Sequence, residues 1–126
     1  MANKPGVKWV KRALIESPYC IGLCKKESHF NQAMKRLKVP LSNRPQWIGA
    51  GDATAHFFKN GSNKFCIVCI QKGLKRYQAY GLLVHEAVHV WQYVKKDLHE
   101  KTPSKEFEAY SIQMISQCLI AAYEGS

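Results

Sequence analysis

The sequence has no apolar run long enough to cross a membrane. Phe65–Ile70 and Gly81–Val84 fall far short of the roughly 18 residues that a spanning helix needs. It has no apolar segment near its start: Met1-Ala2-Asn3-Lys4-Pro5-Gly6 is polar, and Lys8, Lys11 and Arg12 interrupt the next stretch, so no secretory signal is expected. Internal repeats and low-complexity tracts are absent. The five cysteines (Cys20, Cys24, Cys66, Cys69, Cys118) are odd in number, which speaks for reduced thiols in a cytoplasm rather than a disulfide framework. Acidic residues are scarce, 9 against 19 Lys+Arg, for a formal charge of +10. A hydrophobic fraction of 46% nevertheless excludes a disordered chain, and 126 residues fit one domain, 1–126.

The charge is unevenly spread. Residues 1–76 hold 15 basic and 3 acidic residues, a balance of +12, whereas residues 77–126 hold 4 and 6, a balance of −2. The basic half, with Lys8, Lys11, Arg12, Lys25, Lys26, Lys35, Arg36, Lys38 and Arg44, raises the question of a polyanionic partner such as nucleic acid. No helix-turn-helix, RNA-recognition or OB signature accompanies it, and no aromatic interleaving forms a stacking platform. A solvated face accounts for most such runs.

Hydrophobic periodicity gives the order α-β-α-β-β-α-α. Val7–Glu16 reads as a short amphipathic helix stopped by Pro18, and Tyr19–Cys24 as a strand. Ser28 is placed to cap a helix with the stripe Phe30, Ala33, Met34 and Leu37, ended by Pro40. Ala53–Phe58 and Lys64–Ile70 flank the Asn-Gly turn signal of a hairpin. Phe65–Ile70 is apolar on both faces, as an internal strand is, which leaves Ala53–Phe58 as the better candidate for an edge. The segment from Leu74 to about Lys96 is helical and apolar nearly all round, hence buried. Thr102-Pro103 opens a last helix reaching about Tyr123.

On the buried helix sits His85-Glu86-Ala87-Val88-His89. Histidines at i and i+4 share one helix face, one turn apart, so both imidazoles can hold one tetrahedral metal. Glu86 beside them can take a proton from a metal-activated water. Burying three ionisable groups in an otherwise apolar helix without a purpose is costly. A catalytic zinc takes a third protein ligand, and the downstream candidates are His99, Glu100, Glu106 and Glu108. Gln92 and Lys95 stand where a metzincin carries Gly and its third His. Glu108 shares a helix face with Ser111, Ile112, Ile115 and Leu119, where a carboxylate needs a partner. Glu106 shares a polar face and is explained by the helix dipole. Glu108 is therefore the expected third ligand, with His99 behind it.

His85, Glu86 and His89, with eighteen residues between the second histidine and Glu108, resemble the gluzincin pattern of the aminopeptidase type. Ala53–Phe58, Cys66–Ile70, Leu82–Gln92 and Glu106–Tyr110 look like small uncharacterised zincin-like proteins of bacteriophages and prophages. The resemblance implies an α+β, minimal zincin-like fold, in which a small twisted sheet of about three strands packs on the active-site helix and a second helix supplies Glu108. It implies a zinc-dependent peptide-bond hydrolase binding one Zn2+ and acting on a peptide or protein in a host cytoplasm. The exopeptidase motif of the aminopeptidases is missing, as is the His-Gly of Spartan-like proteases; His99 is followed by Glu100. The rivals are a non-enzymatic, zinc-stabilised phage or host-interaction protein and a nucleic-acid-associated protease using the basic half.

The strand beside a zincin's active-site helix often binds substrate by strand addition, a role open to Ala53–Phe58. Tyr110, His99 and His56 are candidates for stabilising developing negative charge, and none is singled out. Cys66 and Cys69, three apart in a strand, point to opposite faces, so the cysteines read as small core residues rather than a four-thiolate zinc site with Cys20 and Cys24.

Overall fold

A computed structural model describes residues 6–9 and 19–125. The chain is mixed α+β. Its elements are β1 (Lys8–Trp9), β2 (Tyr19–Cys24), α1 (Glu27–Arg36), β3 (Ala53–Asn60), β4 (Asn63–Ile70), α2 (Arg76–Asp97) and α3 (Lys105–Glu124). The four strands form one sheet in the order β1-β2-β4-β3. The β2–β4 pair is parallel, with Cys24 opposite Cys69, and the other two pairs are antiparallel. No helix among the described residues is long and apolar enough to cross a membrane.

The alternation of strand residues builds three layers. Tyr19, Ile21 and Leu23 of β2 and Cys66, Val68 and Ile70 of β4 face α2 and α3, packing on Leu83, Ala87, Val90, Trp91, Ile115 and Leu119. Cys24, Ile67 and Cys69 face the other way, onto Phe30, Ala33 and Met34 of α1. β4 is therefore apolar on both sides because both sides are covered, and β3 is left at the edge, as the sequence pattern implied. Cys66 and Cys69 do point to opposite faces. Burial pushes the Cys66 thiol up to about 12, so it stays protonated and packs as a small apolar group.

The hairpin is tighter than the turn-rich sequence suggests. Asn60 pairs with Asn63, and Gly61 turns the chain at φ 66, where a side chain would be strained. Helix ends also differ from expectation. α1 begins with Lys26 as N-cap, so Ser28 lies within its first turn. It stops at Lys38, φ 58, where Lys38 N–H bonds Lys35 C=O and Val39 N–H bonds Met34 C=O, before Pro40 is reached. α3 is capped by Ser104, whose Oγ accepts from Phe107 N–H at 3.1 Å, rather than by Thr102.

The first segment departs furthest. Residues 8–9 are a strand, not the start of a helix, and residues 10–18 lie outside the described residues. Val7 and Trp9 fit a period of two as well as a helical one, and Gly22 of β2 decides between them. A Cβ at Gly22 would lie 2.5 Å from Val7 Cγ1 and 2.9 Å from Trp9 Cε3. The missing side chain is what lets β1 lie against β2. Gly22→Ala is expected to destabilise the protein by about 1–3 kcal/mol, read by urea unfolding, because it overpacks this contact. Unchanged stability would show that β1 contributes nothing to the fold.

Candidate functional site

α2 is held from two sides. Ala79, Leu83, Ala87, Val90, Trp91 and Val94 are buried against the sheet and α3. That packing fixes the helix rotation and leaves His85 and His89, one turn apart, at the mouth of an open cleft of about 490 Å³. The cleft is lined by His85, Glu86 and His89 on one side. Ala53, Thr54, Ala55 and Phe57 of β3, with Gly49 and Ala50, line the other. Gly49 N–H donates to Thr54 Oγ1 at 3.1 Å, tying the preceding loop to the strand. Phe57 stacks on Tyr93 with ring centroids 4.4 Å apart, joining β3 to α2.

The imidazoles stand with Nε2 atoms 3.2 Å apart, ring planes at 72°. Zinc–nitrogen bonds of about 2.0–2.1 Å at the tetrahedral angle place two ligand nitrogens roughly 3.3 Å apart, so the pair fits one tetrahedral ion. His89 Nδ1 lies 3.1 Å from Gln92 Oε1. An amide oxygen only accepts, so Nδ1 carries the proton and the Nε2 lone pair faces His85 Nε2. In the sequence, Gln92 served only to exclude a metzincin. Its spacing from His89, three residues on the same helix, is the signal that locates this positioning bond.

Glu86 is 5% exposed and lines the same cleft. Its carboxylate makes no ion pair with any other described residue. Its side chain opens onto the cleft and takes part in none of the ion pairs that hold the fold.

The other expected residues lie elsewhere. Glu108 Oε2 accepts from Trp91 Nε1–H at 2.8 Å and from Lys95 Nζ at 3.0 Å, and these bonds, Trp91's foremost, hold its carboxyl below the usual carboxylate range. Glu108 does not line the cleft, and among the described residues no set of three His, Cys, Asp or Glu side chains converges on one metal position. His99, at φ 60, is the left-handed residue that closes α2: its N–H bonds Lys96 C=O while Glu100 N–H bonds Lys95 C=O. Tyr110 is exposed on α3. His56 Nε2 sits 2.9 Å from Trp47 C=O and its ring packs on Phe30, on the α1 side of the sheet. None of these three lines the cleft.

No family model, no curated protein and no solved structure matches the chain. The functional reading therefore rests on the cleft's own geometry.

Proposed function

We propose that the protein is a zinc-dependent peptide-bond hydrolase of minimal zincin-like build. The observation that carries this reading is the shared opening of His85, Glu86 and His89 beneath the edge strand β3. His85 and His89 would hold the ion through Nε2, with Gln92 fixing the His89 tautomer. Glu108 is the proposed third ligand and exchanges its Lys95 contact to serve. Both of its present bonds fall on Oε2, which leaves Oε1 with its lone pairs. When bound, zinc supplies Lewis acidity that polarises a carbonyl and lowers the pKa of water. Glu86 takes the proton from the attacking water and returns it to the leaving amine. The outer edge of β3 offers backbone N–H and C=O groups to an extended peptide, which would lie along the strand and across the cleft.

Zinc content and cleavage of a mixed peptide pool, read by mass spectrometry, test the assignment. His85→Ala and His89→Ala are expected to lose the metal. Gln92→Leu should weaken zinc binding by about 10- to 100-fold in a chelator competition. Glu86→Gln should keep the metal and lose at least about 100-fold in turnover. Equal turnover in wild type and Glu86→Gln would sink the mechanism. Glu108→Ala should lower zinc affinity and Lys95→Met, which frees the carboxylate, should raise it; zinc binding unchanged in both removes Glu108 from the ligand set.

A further inference from the structure

A cluster of unneutralised charge lies away from the cleft floor, at the end of the sheet where the parallel strands β2 and β4 finish. Their register, Cys24 opposite Cys69, brings Lys25 and Lys26 beside the loop Gln71-Lys72-Gly73-Leu74-Lys75. Both helices that succeed these strands, α1 and α2, start at this end, and both take a lysine as N-cap, Lys26 and Lys75. A lysine side chain offers no acceptor to the first helical N–H groups, and its charge adds to the positive end of the helix dipole. The first turn of α2 contains no acid and begins with Arg76. The fold is thus loaded with cations where helix electrostatics disfavour them.

Their neighbours do not cancel the charge. Lys25 is engaged with Tyr123, donating to its carbonyl at 3.1 Å and lying over its ring, and Arg76 pairs with Glu124 at 3.2 Å. Among the described residues no carboxylate comes within ion-pair distance of Lys26, Lys72 or Lys75, although Glu27 and Asp52 belong to the same end of the sheet. The overlap of these fields registers on His29. Burial first, then Lys26, Lys72 and Lys8, hold its imidazole below the usual histidine range.

We propose that this end of the β2–β4 pair, centred on Lys26, Lys72 and Lys75, docks the phosphate backbone of a nucleic acid without reading its bases. Ligands of open sheets that contain parallel strands bind outside the strands' carboxyl ends, and phosphates are suited to paired helix N-termini. Lysine is depleted at protein–protein interfaces, which rely on buried aromatic anchors. Among the described residues Tyr77, the second residue of α2, is the one large hydrophobic side chain exposed beside these lysines, so the surface carries no apolar cluster on which a protein partner or a membrane would seat. Three flexible point charges suit phosphate contacts that position rather than specify. The surface adjoins the cleft, because Gln71 N–H bonds Asp52 C=O immediately before β3. Its phosphate docking does not depend on the metal site.

Fluorescence anisotropy with labelled 20-base-pair DNA and RNA duplexes tests it on the full chain. Binding is expected at about 50 mM salt with a log–log salt slope of about −2.7, a loss of roughly 40-fold at 200 mM. The triple variant Lys26→Glu, Lys72→Glu and Lys75→Glu should bind at least about 10-fold more weakly. The triple variant Lys35→Glu, Arg36→Glu and Lys38→Glu, of equal charge change at the far end of α1, should stay within about 3-fold. His85→Ala should bind as wild type does, which separates this surface from the zinc reading. If the first triple variant fails to fold, its Lys→Ala counterpart carries the comparison. Absence of duplex binding, or equal losses in the two triple variants, overturns the proposal. So does equal or tighter binding to phosphatidylserine vesicles or to polyglutamate.

Discussion

Every feature of the candidate site depends on the rotational setting of α2. The helix is wedged between the sheet and α3, and Leu83, Ala87, Val90 and Trp91 are buried on the side that faces them. Successive residues of an α-helix differ by about 100° around the axis, so a core face on these positions fixes where positions 85, 86 and 89 look. His85 and His89 come out at the rim, and Glu86 lies between rim and core. One packing constraint thus sets three chemical environments. The site needs no dedicated scaffold beyond the helix that also organises the core.

The charges obey a related logic. Asp97 closes α2 at the end where the helix dipole is negative, an unfavourable place for a carboxylate. Lys64 donates to it at 2.7 Å and the Tyr19 hydroxyl donates to the same oxygen, which keeps the Asp97 carboxyl below its usual range. Tyr19 opens β2 and Lys64 stands near the start of β4, directly opposite it in the parallel register. The cluster therefore ties the beginnings of both parallel strands to the end of the helix. At the other end of the same strands the cations Lys26, Lys72 and Lys75 have no such counterpart. Compensation is complete at the starts of the two strands and, among the described residues, absent for these three lysines at their ends.

Much of this was legible in the residues. The apolar run Phe65–Ile70 identified an internal strand, its more polar neighbour an edge, and the i, i+4 spacing of His85 and His89 a shared helix face. What escaped were features defined by a distant partner. The two-residue strand β1 exists because Gly22 leaves room for Val7 and Trp9, which no local periodicity reveals. Lys38 and His99 terminate helices in the left-handed conformation that glycine usually fills, so neither end carried its ordinary signal. The sequence offers His99 as a chemical group, whereas in the structure its backbone serves the helix end. Glu108 does need a partner on the buried stripe, as its helix face implied, and the residues that answer it in the structure are Trp91 and Lys95.

Those two partners bear differently on a ligand role for Glu108. The Lys95 ion pair is partly exposed, with side chains 29% and 35% accessible, and pairs of that kind hold their geometry weakly against competing interactions. The Trp91 bond is another matter, because the indole is buried and its N–H would be left unpaired if the carboxylate moved away. A carboxylate has two oxygens, however, and both existing bonds use Oε2. Release of Lys95 alone leaves Trp91 satisfied and gives Oε1 freedom to turn with the side chain. On the proposed ligand set, Trp91 would play for Glu108 the part that Gln92 would play for His89, orienting a ligand through the atom turned away from the metal. The same indole that fixes the rotation of α2 would in this way also set the direction of the third ligand, so the packing of the core and the composition of the site answer to one side chain.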